Sequence, residues 1–179
     1  MRFRVVAWVV VAFVTAGCVT ERDGTDFTSL TNKVGAPKSG QARIVVFREK
    51  GYGGLADASW DIQLDGQPMS GLKTGTYVYA DRPAGRHKLT SIMALFPGET
   101  QYEITVAAGR TYFFLTRPSA RANTLNAMSA AGGMSGLVVA AVITSGNDNP
   151  GPLDFFPMEE SAARAMMADV PLAETSRVR

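Results

Sequence analysis

The chain has 179 residues, 46% of them hydrophobic, with 18 lysines and arginines against 16 aspartates and glutamates. A balance so close to neutral excludes the strongly basic footprint of a nucleic-acid-binding domain and a polybasic membrane patch. Length and hydrophobic share suit one folded domain with a real core, not a disordered chain.

The stretch from Arg2 to Cys18 reads RFRVVAWVVVAFVTAGC. A basic start, an apolar middle and the small residues Thr15-Ala16-Gly17 make the layout of a secretory leader. The run from Val5 to Ala16 is only 12 residues, short of the about 20 that a membrane-spanning helix needs. The sole cysteine, placed directly after the small residues, resembles the lipobox of bacterial lipoproteins, with Thr15 where that pattern most often has leucine. The resemblance implies that residues 1–17 are a signal peptide and that Cys18 is the lipidated first mature residue. Lipidation also accounts for a lone cysteine with no disulfide partner. Val19 follows instead of aspartate, which by the lipoprotein sorting rule implies the periplasmic face of the outer membrane. Loss of Arg2 and Arg4 leaves 16 basic and 16 acidic residues, a neutral mature chain.

Residues 18–41 are small and polar without periodicity, and are read as a flexible tether. The domain itself is expected over 42–167. Ala42 to Arg48 is a strand with apolar residues on both faces, Ile44 and Val46 on one, Val45 and Phe47 on the other. That pattern belongs to a central strand or to one covered on its second side. Trp60 to Leu64 alternates inward and outward, and Asp65-Gly66 makes a tight turn into a strand from Gln67 to Leu72. Further strands are expected at 75–80, 86–93, 100–106 and 110–117, with a turn at 81–85. Short strands at this spacing, with no βαβ alternation, predict a mainly β fold: a small antiparallel β-sandwich of about seven to eight strands.

Residues 120–151 break the pattern. No charge falls between Arg121 and Asp148, and glycine and alanine dominate. Gly132, Gly136, Ala140 and Thr144 recur every fourth position, a stripe that permits close helix packing. The segment is read in three ways: a helix or helical hairpin on the sandwich, a mobile loop, or an element that enters a membrane or self-associates. Leu153 to Phe156 is a last strand, and Met158 to Met167 a short amphipathic helix with Glu159 and Glu160 at its positive end. Residues 168–179 are read as a loose tail.

Taken in order, ARIVVFR, the Asp-Gly strand pair, GTYVYADRPAGRHKL, ITVAAGRTYFF and LDFFPMEESAARAMM resemble the bacterial lipoproteins grouped as domain of unknown function 2846. The similarity runs from Ala42 to Met167. Members commonly carry Pro-Pro-Gly-x-His where this chain has Arg82-Pro83-Ala84-Gly85-Arg86-His87. The resemblance implies a transthyretin/immunoglobulin-like sandwich on a lipid anchor, and no assigned activity.

Chemistry-bearing residues are few. His87 is the only histidine, so a Ser-His-Asp triad or a zinc site would depend on it alone, and a structural role beside a turn is expected. Asp57, Asp61 and Asp65 do not form a calcium loop. Gly51-Tyr52-Gly53-Gly54 lacks the ending of a phosphate loop. Tyr77, Tyr79, Tyr102, Tyr112, Phe113 and Phe114 suit core and cross-strand pairs better than a sugar- or peptide-binding face. No metal, cofactor or nucleic acid is expected. The expected partners are a membrane through the lipid, an envelope protein or peptidoglycan, and a second copy of the chain. A non-enzymatic envelope module is the leading reading, ahead of a membrane-inserting or oligomerising protein and of a glycan-acting enzyme.

Overall fold

The computed structural model describes residues 35–50, 60–93, 96, 98–144, 146 and 151–173. The signal peptide, Cys18, most of the tether, the Gly51–Gly54 turn and Asp57 lie outside the described residues.

Among the described residues eight strands run in order: β1 (Gln41–Arg48), β2 (Trp60–Leu64), β3 (Gln67–Leu72), β4 (Tyr77–Pro83), β5 (Gly85–Ile92), β6 (Thr100–Val106), β7 (Thr111–Pro118) and β8 (Leu153–Met158). Helix α1 (Ala120–Ile143) separates β7 from β8, and α2 (Glu160–Met166) follows β8. The strands form two four-stranded sheets, ordered β4-β1-β7-β8 and β3-β2-β5-β6. The mainly β sandwich expected from strand spacing is therefore the fold observed.

The sheets are antiparallel except at one pair. β1 and β7 run parallel, with Val45 opposite Phe113. The chain leaves the first sheet twice to build the second, and β7 returns in the direction of β1. A crossover of that kind leaves no mark on local alternation.

β1 is covered on both faces. Ile44 and Val46 pack in the inter-sheet core with Trp60, Ile62, Leu64, Leu89 and Phe114. Val45 and Phe47 face a second cluster with Tyr77, Phe113, Leu115, Ala163, Met167 and Val170. Helix α2 and its C-cap provide part of that cover through Ala163 and Met167, while Ala162 and Met166 stay exposed. The segment 170–173 provides the rest. It corrects the expected loose tail: Pro171 O accepts from Tyr77 N at 3.0 Å, and Ala173 N donates to Tyr77 O at 2.8 Å. The reason is the uncovered apolar face of β1, which α2 alone is too short to close.

Two boundaries differ from expectation. The strand expected at 75–80 begins at Tyr77 and continues through the supposed turn to Pro83, pairing Arg82 with Ala42 and Pro83 with Gln41. Only Ala84 then separates β4 from β5, because the chain changes sheets there and does not reverse within one.

The Gly/Ala-rich stretch is a helical hairpin. Gly133 has φ 58 and ψ −138, outside helical geometry, and a residue without Cβ adopts that conformation at little steric cost. A straight helix would hold Arg121 and Thr144 about 35 Å apart at about 1.5 Å per residue. Instead Arg121 Nε lies 3.1 Å from Thr144 Oγ1. Gly136 backs onto Met128 so closely that a Cβ there would run into the Met128 carbonyl oxygen. Ser119 caps the first arm by accepting from Ala122 N at 3.1 Å, and its Oγ donates to Gly151 O at 2.6 Å, satisfying an otherwise orphaned helical donor.

Candidate functional site

His87, Asp65 and Arg82 form one cluster of titratable groups. The Asp65-Gly66 turn places both residues at positive φ, 55° and 75°, the backbone of a tight hairpin turn. That geometry aims the Asp65 carboxylate at β5. Oδ1 accepts from Lys88 N at 2.9 Å, and Oδ2 lies 2.7 Å from His87 Nδ1. The other ring nitrogen, Nε2, is 2.8 Å from Pro83 O. Both nitrogens of His87 are thus engaged with acceptors, tying the end of β4 to the β2–β3 turn. Burial works against the Asp65 charge, but hydrogen bonds from Lys88 and His87, with the charges of His87 and Arg82, hold its carboxyl below the usual value. The cluster fastens the corner between the sheets.

A second polar element lies where the chain enters the domain. Arg43, buried on β1, meets Asp81 on β4 through Nε–Oδ1 at 2.7 Å and Nη2–Oδ2 at 2.8 Å, the paired fork that guanidinium and carboxylate favour. Register places them opposite each other. Its Nη1 donates to Gly35 O at 2.8 Å, and the guanidinium lies 5.0 Å from the Tyr79 ring centre. The hydrogen bond to Asp81 outweighs burial and keeps the Arg43 pKa raised. Arg43 thereby pins the incoming chain to the first sheet.

Beside it runs a groove of about 580 Å³ between the entering chain, β7 and the start of α2, lined by Arg43, Arg110, Phe113, Glu159, Glu160 and Arg164. Much of its charge is internally matched: Arg164 Nη2 is 2.7 Å from Glu160 Oε1 and its guanidinium is 5.7 Å from the Phe113 ring centre. Among the described residues no three of His, Cys, Asp and Glu stand together as a metal-binding group.

The six aromatic residues singled out in the sequence do not share one open face. Tyr77 and Phe113 are buried under α2 with Tyr79 against them. Phe114 lies in the inter-sheet core with Tyr102 and Tyr112 packed on it. Tyr102 meets Phe114 edge-on at 5.5 Å, and Tyr112 Oη accepts from Ala107 N at 2.9 Å. Asp61 is exposed on β2. Asp154 on β8 is different: desolvation raises its pKa, and its buried Oδ1 has no hydrogen-bond partner among the described residues.

The small-residue stripe is divided by the break at Gly133. Gly136, Ala140 and Thr144 are buried, while Gly132 lies exposed at the end of the first arm. Gly136 is spent on contact between the two arms. The exposed large hydrophobics of the hairpin are Met134, Val138, Val139, Val142 and Ile143, all on the second arm. The sequence marked the stripe and missed this outward row; spacing of 134, 138 and 142, and of 139 and 143, was the signal available. The Arg43–Asp81 pair was missed as well, since it depends on strand register.

No curated protein matches the chain. A family model described as "Protein of unknown function (DUF2846)" matches residues 38–132, which takes in β1 to β7 and the first arm of α1 and stops short of the Met167 limit expected from sequence. By that match the chain belongs to the DUF2846 family.

Proposed function

We propose that this protein is a lipid-anchored component of the bacterial cell envelope, held at the periplasmic face of the outer membrane, and that its sandwich serves as a non-enzymatic binding or structural module. The observation that carries the reading is the sequence from Arg2 to Cys18, in which the only thiol directly follows an apolar run and three small residues. The domain begins well after that point. Strands β3, β4, β6 and β8 are the outer strands of the two sheets among the described residues, and an outer strand such as β6 or β8 suits strand addition by an envelope protein. Peptidoglycan is the other partner class consistent with the location. His87 and Asp65 are occupied in fastening a corner, which favours a module over a glycan-acting enzyme.

Density-gradient separation of envelope membranes tests the location. The native protein is expected with the outer membrane, and Cys18→Ser is expected to accumulate as the uncleaved precursor in the inner membrane. Native protein in the soluble fraction overturns the reading. For the non-enzymatic part, His87→Ala and Asp61→Ala are expected to leave every phenotype of a deletion strain complemented, provided folding is retained.

A further inference from the structure

The second arm of α1 carries five large apolar side chains into solvent, and they run from its tip to its base. Met134 is 76% exposed, Val138 60% and Val142 68%. We propose that the occupant of this face is lipid, and that the hairpin dips into one leaflet of the bilayer.

Length favours a leaflet over a full crossing. The arms, residues 120–132 and 134–143, measure about 20 and 15 Å at about 1.5 Å per residue. A bilayer's hydrocarbon core is about 30 Å thick, so one leaflet offers about 15 Å. The break at Gly133 means that the 24 residues of α1 form no continuous span.

Charge and hydrogen bonding agree with that depth. Between Arg121 and Asp148 there is no ionisable side chain. Asn123 and Thr124 on the first arm and Thr144 after the second lie nearest the base, with Asn126 midway along the first arm and only the small hydroxyls Ser129 and Ser135 further out. A partner protein's docking face would ordinarily carry a polar rim, and on this arm, residues 134–143, Ser135 is the only polar side chain. Backbone groups entering hydrocarbon must be satisfied within the protein. Both arms are helical, and at the tip Ser135 Oγ donates to Gly132 O at 2.8 Å.

The chain outside the described domain has the reach required. Gly35 is held at the start of β1, beside the start of the parallel β7, whereas the hairpin leaves from the end of β7. The eight residues of β7 separate those two points by about 26 Å at about 3.3 Å per residue. Cys18 lies 17 residues before Gly35, and a chain of that length reaches about 56–61 Å at full extension, at about 3.3–3.6 Å per residue. A lipid on Cys18 and an inserted hairpin can therefore share one membrane surface. This juxtaposition rests on the lipoprotein reading; insertion of the hairpin does not.

The test uses the full-length gene product with Val138→Cys, and separately Met134→Cys, labelled with an environment-sensitive fluorophore and reconstituted into phosphatidylcholine vesicles. Arg86→Cys on β5 serves as the solvent-facing reference. The hairpin positions are expected to show blue-shifted emission and quenching by acyl-chain spin labels, equal in low and high salt, while position 86 shows neither. Emission unchanged on adding vesicles overturns the proposal. A blue shift without lipid that grows with protein concentration assigns the face to a second copy and overturns it too. Labelling of the unsubstituted chain reports separately on the anchor: uptake of label at Cys18 defeats the lipoprotein reading, and the hairpin signal is still read by difference.

Discussion

Arg121 Nε donates to Thr144 Oγ1 at 3.1 Å across 23 positions of sequence. Thr144 Oγ1 in turn donates to Ala140 O at 2.6 Å, and the Arg121 guanidinium lies 5.7 Å from the Phe96 ring centre. The base of the hairpin is thus fastened to itself and to the connection between β5 and β6. Rigidity at the base and exposure along the second arm are the two properties a shallow membrane element needs.

Gly136→Val is expected to open the hairpin without unfolding the sandwich. Its side chain would collide with the Met128 carbonyl, and overpacking of this kind costs about 1–3 kcal/mol. Hydrogen exchange should accelerate for amides across Ala120–Ile143 and remain slow in β1, β5 and β7. Acceleration throughout the sheets would show that the hairpin is integral to the core.

Arg43→Met leaves the Asp81 carboxylate facing a largely buried site. Removing one partner of a buried ion pair costs about 3–5 kcal/mol. Asp81 is partly exposed, with 22% side-chain accessibility, so the loss is expected near about 3 kcal/mol. Denaturant unfolding of Arg43→Met, Asp81→Asn and the double variant gives the coupling, and the double variant should recover part of the loss. Full additivity of the single losses would mean that the fork contributes nothing as a pair.

Asp65 makes stability depend on acid pH. Its carboxyl is held below the usual value. Such a group contributes stability that is fully present above the unfolded value of about 3.9. That contribution is lost as pH falls through the lower folded value. Asn tolerates the left-handed turn position that Asp65 occupies, so Asp65→Asn keeps the backbone. The variant should lose less than about 1 kcal/mol at neutral pH, since the site is partly exposed. Its midpoint should also fall less steeply than the parent's below about pH 4. Parallel curves would remove Asp65 from the account of acid sensitivity.

Truncation after Asp169 should destabilise the domain by about 3 kcal/mol, the sum of burying a valine side chain and two backbone hydrogen bonds. It removes Val170 and the bonds of Pro171 and Ala173 to Tyr77. Truncation after Ala173 keeps those contacts and serves as the reference. Equal stability of the two truncated chains would return 170–173 to the status of a tail.

Alternation made most strands legible in advance. Trp60, Ile62 and Leu64 alternate with Asp61 and Gln63, and the apolar pairs on both sides of β1 foretold cover on each face. Pairings that join distant segments were not legible. The parallel match of β1 with β7, the Arg43–Asp81 fork and the docking of 170–173 on Tyr77 each depend on sheet order, which local periodicity does not encode. The hairpin falls between. Adjacent glycines at 132 and 133 mark a place where a helix can break, but the return of Gly136 onto Met128 is a tertiary contact. Candidate chemistry followed the same division: His87 was visible as a lone residue after a turn, and the two acceptors that engage it became visible only with the corner between the sheets.

The most direct test of the account is the mass of the N-terminal peptide of the native protein. The lipoprotein reading predicts a mature chain that begins at Cys18 and carries a thioether-linked diacylglycerol, with Val19 next. A mature chain starting at Cys18 with a free thiol, or one cleaved elsewhere in the leader, would contradict it.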